Sequence, residues 1–144
     1  MRIRQLNHSV YQTRYHIVWG TKYRYKVLKP YVRDKLVGFW FSLIKTKYPT
    51  WYIHEINTGD DHVHIMIEFP PDYKICEVVQ KLKGSASIYL KKQFNFINKI
   101  YQERGIWSVG YFVSTVGLNE KQIKQYIQRQ NRVDLPQDIT QEFS

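Results

Sequence analysis

The stretch WYIHEINTGDDHVHIMIEFPP, residues 51–71, most narrows what this chain can become. Two runs rich in branched and aromatic residues, 51–58 and 62–69, flank Gly59-Asp60-Asp61, a turn signal. Pro70-Pro71 stops the second run, so the segment reads as an antiparallel hairpin. An amphipathic pattern lies on each side of it. Leu36, Val37, Trp40, Leu43 and Ile44 recur at helical spacing between Pro30, which suits a first turn, and Tyr48-Pro49, which ends the helix. Beyond Asp72, a suitable N-cap, Ile75, Val78, Val79, Leu82, Ala86, Tyr89 and Leu90 form the stripe of a second helix. Gly84 inside it costs roughly 1 kcal/mol against alanine, which suggests that it permits a close approach. TRYHIVWG (13–20) and GYFVSTVG (110–117) read as two further strands, and Asn119 with Gln122 makes a capping box for a last helix at about 120–131.

Strand, helix, strand, strand, helix, strand is the split βαβ order. It predicts an α+β, ferredoxin-like or RRM-like fold, an antiparallel sheet with two helices on one face, here with an additional C-terminal helix. A chain of 144 residues has room for one domain with a sizeable core, expected over 1–133, and 134–144 has the character of a tail. No run approaches the ~18 apolar residues of a membrane span, and the start MRIRQLNHSVYQTR has no signal-type block, so a cytoplasmic protein is expected. Cys76, alone and among apolar neighbours, reads as structural rather than redox-active.

The net charge of +10 is concentrated at the front of the chain: Arg2, Arg4, Arg14, Lys22, Arg24, Lys26, Lys29 and Arg33 all precede the first acidic residue, Asp34. They interleave with Tyr15, Trp19, Tyr23, Tyr25 and Tyr31, the mixture that a phosphate backbone with unstacked bases selects. A solvated basic surface is the other reading of the same charge.

Strand alternation sends His62, His64, Met66 and Glu68 to one face and Val63, Ile65, Ile67 and Phe69 to the other, which is a clean core face. Two imidazoles at i and i+2 can share one ion, or each can bond a neighbour and do nothing more. His8, His16 and His54 read as structural or surface groups, His16 with most doubt because its strand can lie beside the hairpin. A third donor and an open position would complete a metal site. KQIKQYIQRQN (121–131) offers Tyr126 and Gln130 at i and i+4 on one helix face, with Ile123 and Ile127 as the packing stripe. The Gln130 carbonyl suits a hard divalent ion, although Glu55 and Asp61 compete for that role. A phenol near the ion suggests nucleophilic attack on a phosphodiester.

With YHIVWGTKYRYKVL, DHVHIMIEFPP, LKGSAS, WSVGYFVSTVG and IKQYIQRQ in that order, the chain resembles the single-tyrosine HUH transposases of the insertion sequence 200/605 type from about residue 15 to 130. The resemblance implies that His62, His64 and Gln130 bind a divalent metal, Mg or Mn, and that Tyr126 is the catalytic nucleophile on the C-terminal helix. It implies cleavage and rejoining of single-stranded DNA at ends marked by imperfect hairpins, through a 5′-phosphotyrosine link, in a prokaryotic cytoplasm near the nucleoid. It also implies a homodimer in which the tyrosine helix completes the partner's site, with Gly117 as its pivot or merely a tight turn. Arg14, Lys22, Tyr23, Arg24 and Lys26, together with Lys83, Gly84 and Ser85 of LKGSAS, are the candidates for DNA contact. A non-catalytic single-strand-binding module and a metal-water nuclease are the competing functions.

Overall fold

A computed structural model describes residues 13–115 in full and the backbone of 4–6 and 9–11. Two short strands, β1 (Arg4–Leu6) and β2 (Ser9–Tyr11), pair antiparallel as a separate ribbon that the sequence periodicity did not announce. The main sheet contains β3 (Arg14–Gly20), β4 (Tyr52–Thr58), β5 (His62–Glu68) and β6 (Phe112–Thr115) in the order β4-β5-β3-β6, each pair antiparallel. With α1 (Pro30–Lys47) after β3 and α2 (Ile75–Gln93) after β5, this is the expected α+β, ferredoxin-like order.

One face of the sheet is the core. Ile17 and Trp19 of β3 and Val63, Ile65 and Ile67 of β5 are fully buried against Val32, Leu36, Trp40 and Ile44 of α1 and Val78, Val79, Leu82, Ala86 and Leu90 of α2. Pro30 opens α1 as expected, since its fixed φ and missing N–H suit a first turn. Three indoles lock the layer together: Trp19 meets Trp40 and Trp107 edge-on at 5.7 and 5.8 Å. Trp40 and Trp107 also donate their Nε1–H groups, at 3.0 Å each, to the carbonyls of Leu82 and Lys83 on α2.

Four particulars depart from the sequence reading. The second helix begins after Lys74, not Asp72, because the Glu77 carboxylate accepts from the Lys74 N–H at 3.0 Å while Pro70–Tyr73 closes a turn. A third helix, α3 (Asn95–Tyr101), occupies what reads as a polar stretch; its stripe is only Ile97 and Tyr101. Cys76 is exposed on the first turn of α2, since that face turns away from the Val78–Val79 stripe. In β4 the register slips between Ile53 and Glu55, a bulge at His54 that puts Ile53 opposite Ile67 and Ile56 opposite Ile65 even though they stand three apart in sequence. The expected tyrosine helix, with Gly117, lies outside the described residues.

Candidate active site

The sheet face away from α1 and α2 carries the polar residues of β5. Its pairing with β3 sets Gly20 opposite His62, Val18 opposite His64 and His16 opposite Met66. His16 Nδ1 lies 2.8 Å from His64 Nε2, so His16, whose strand lies beside the hairpin, is the ring neighbour of His64. That bond needs a donor and an acceptor, hence at least one of the two rings is neutral. At the start of β5 the His62 ring lies over Gly59, where a Cβ would come within 2.3 Å of His62 Cε1. His62 Nδ1 is bonded to Asp61 Oδ1 at 3.0 Å, and Nε2 makes no hydrogen bond among the described residues. A side chain 24% exposed with a ring nitrogen spare among the described residues fits a ligand to a divalent ion.

Asp61, 7% exposed, is not placed to compete as a ligand: its Oδ1 also accepts from Arg24 Nη2 at 3.0 Å. Burial works to raise its carboxyl, but the His62 hydrogen bond and the Arg24 charge outweigh it and hold the group below the usual carboxylate range. Glu55 is exposed and accepts from Asn57 Nδ2 at 2.8 Å. Glu68, fully buried at the far end of the face, is 2.7 Å from His54 Nε2 and 3.9 Å from Arg14 Nε.

The loop after β3 begins with a 3-10 turn over Lys22–Arg24, in which Tyr23 and Arg24 both have left-handed backbones (φ 63° and 55°). Thr21 clamps it: its N–H donates to the Asp61 carbonyl at 2.9 Å, and its Oγ1 donates to Tyr25 O at 2.7 Å. Of the candidate DNA residues, Lys22 and Tyr23 are half-buried and Lys26 is exposed, whereas the Arg24 side chain turns inward and is 6% exposed. Lys83 Nζ donates to Ser108 O at 2.7 Å and Gly110 O at 3.0 Å; burial, with Lys22 nearby, pushes its ammonium down to about 8. Gly84 is exposed and a Cβ there would meet open space, so no described residue makes the close approach expected of it. Ser85 Oγ bonds back to Lys81 O within the helix.

Sequence reasoning missed a cavity of about 610 Å³ beside that loop, lined by Tyr23, Tyr101, Gln102 and Arg104 among others. Arg104 donates to the Tyr23 hydroxyl, and Tyr101 donates to Lys22 O at 2.9 Å. Nothing in the local pattern marks Arg104, which reaches the loop only because α3 folds back. Tyr126 and Gln130 lie outside the described residues. Among the described residues no three His, Cys, Asp or Glu side chains gather as a metal cluster, and no helix is long and apolar enough to cross a membrane.

A family described as "Transposase IS200 like" matches residues 9–130. The chain is 32% identical over 131 residues to the transposase for insertion sequence element IS200 of Salmonella typhimurium, across 91% of this chain and 85% of the relative. To the ISDra2 transposase TnpA of Deinococcus radiodurans it is 28% identical over 123 residues, across 85% of this chain and 86% of the relative. A crystal structure described as a candidate transposase from Deinococcus radiodurans R1 superposes with a TM-score of 0.76 at 26% identity, covering 88% of this chain and 97% of that one.

Proposed function

The chain belongs to the IS200-like transposase family, and from that membership we propose that it cuts and rejoins single-stranded DNA at hairpin-marked insertion-sequence ends. The observation that carries the reading is the outer face of β5, where His62 has an unengaged Nε2 among the described residues and His64 follows two positions later on the same face. Tyr126 is the nucleophile. Its phenolic oxygen gives up its proton to solvent and attacks phosphorus, the bond to the 3′ oxygen breaks, and that oxygen takes a proton from solvent and leaves as a 3′-hydroxyl, so no net proton is consumed. Attack by a different 3′-hydroxyl on the 5′-phosphotyrosine reverses the step and rejoins the strand, so no nucleotide cofactor enters the balance.

His62, His64 and Gln130 are the residues that would hold Mg or Mn, with Gln130 giving a carbonyl oxygen. A divalent ion bound there supplies Lewis acidity to the scissile phosphate. Thr115 at the end of β6 pairs with Tyr15, three residues from Val18, which faces His64, so with ~10 Å along the strand and ~10 Å across two strand spacings the separation is ~14 Å. The chain from Thr115 to Tyr126 is long enough to span that distance, within one subunit or toward the partner of a homodimer whose site it completes. Lys22, Tyr23 and Lys26, with Arg104 alongside, are the groups proposed to grip hairpin DNA.

Incubating the full chain with labelled single-stranded DNA from the flanks of its own gene, with Mg or Mn, tests this. Tyr126→Phe is expected to keep DNA binding and lose the covalent protein–DNA adduct; a surviving adduct moves the nucleophile elsewhere. Hydrolysis with no protein-linked species would favour a metal-water nuclease, and DNA binding without cleavage, unchanged after replacing both His62 and His64, would favour a binding module.

A further inference from the structure

The ring of His62 is held from behind by a buried ion pair that the proposed chemistry does not by itself require. We propose that Arg24 and Asp61 are a positioning pair that fixes His62 as the Nδ1–H tautomer and so presents its Nε2 lone pair to a divalent cation. This rests on reading His62 as a metal ligand.

Donor and acceptor chemistry decides which ring nitrogen carries the proton. Asp61 Oδ1 stands 3.0 Å from both Arg24 Nη2 and His62 Nδ1. Guanidinium only donates and an ionised carboxylate only accepts, so the proton between Asp61 and His62 sits on Nδ1. A neutral imidazole protonated there carries its free pair on Nε2, the nitrogen with no hydrogen bond among the described residues. Carboxylate behind histidine behind metal is a general way to orient a ligand ring and raise its basicity.

The backbone is shaped to deliver the pair. Tyr23 and Arg24, neither of them glycine, both adopt left-handed φ, a conformation that side chains disfavour and that persists only where its surroundings enforce it. Here the enforcement is Thr21, whose N–H bonds the carbonyl of Asp61 itself, so one clamp sets both ends of the ion pair. Gly20, opposite His62 in the ladder, leaves the space that the guanidinium fills: a Cβ there would lie 2.5 Å from Arg24 Nη1. With side chains 6% and 10% exposed, Arg24 and Asp61 are poorly placed to meet DNA or coordinate an ion themselves.

Two variants of the full chain test the pair. Asp61→Ala removes the carboxylate from beside a buried guanidinium; Arg24→Met/Asp61→Leu removes both charges at once, a change that buried pairs commonly tolerate. Circular dichroism identifies which variants fold. In the metal-free wild type, long-range ¹⁵N correlation spectra are expected to show His62 protonated at Nδ1. In a folded variant the Nε2–H form is expected to appear, and Mn²⁺ affinity, read by paramagnetic resonance of the free ion, to fall roughly 10–100-fold. Retention of the Nδ1–H form, or of Mn²⁺ affinity within about twofold of wild type, in a folded variant overturns the proposal. A wild-type chain that does not bind Mn²⁺ overturns the metal reading and this proposal's purpose with it, while the metal-free spectra still report separately whether the pair sets the tautomer.

Discussion

Gly59 is the residue where the least side chain governs the most chemistry. The Cβ of Gly59→Ala would collide with a movable ring, His62, and not with backbone, so the ring yields and the fold does not. We expect Gly59→Ala to unfold within a few degrees of wild type by calorimetry, yet to lose about tenfold or more of its divalent-ion affinity, a site-specific loss that a stability effect would not produce. Residue by residue, the sequence disclosed the paired histidines because strand alternation is a strong signal, and it flagged His16 because antiparallel pairing brings neighbouring strands into range. It could not disclose that Asp61 belongs to Arg24. That pairing depends on two consecutive left-handed residues in the loop, and Tyr-Arg carries none of the glycine or asparagine that usually marks such a turn.

At the scale of elements, α2 shows how a candidate binding residue can be drawn into packing. Lys83 lies beside the carbonyls of Ser108 and Gly110, and burial pushes its ammonium down to about 8 from an ordinary 10.5. The folded protein therefore holds this proton less tightly than the unfolded chain does, and unfolding takes up a proton between those two pH values. Stability contributed by this group should rise as pH climbs from about 8 toward 10.5. Subtracting the unfolding free energies of Lys83→Met from those of wild type across that range should show an increment on the order of 2 kcal/mol, opposed in part by the two carbonyls that favour the charged form. A flat difference would mean that the amine titrates as if in water. The long elements were legible: α1 matches its expected span because Pro30 and Tyr48-Pro49 bracket a regular stripe. Short ones were not. Two buried residues in α3 fall below what periodicity can resolve, and the bulge in β4 hides inside Ile53-His54-Glu55-Ile56, where spacing of three looks like noise until the partner strand is known.

Across the whole molecule, basic residues gathered ahead of Asp34 give the +10 chain an uneven field, and the proposed substrate is a polyanion. Affinity for single-stranded DNA should fall linearly on logarithmic axes as salt rises, with a slope near −0.7 per phosphate neutralised. Fluorescence anisotropy between 50 and 200 mM salt would measure it, and replacing exposed Lys26 should shallow the slope while replacing inward-turned Arg24 should not. The sheet separates the two demands on this molecule by depth: Val63, Ile65 and Ile67 face inward to hold the layers together, and His62 and His64 face outward. Because cohesion and chemistry alternate along one ribbon at single-residue pitch, β5 has no spare position. Inserting one amino acid upstream of Val63 would turn the imidazoles into the oil and the aliphatics into water, so natural variation in length here should be purged while the bulged neighbour β4 absorbs it.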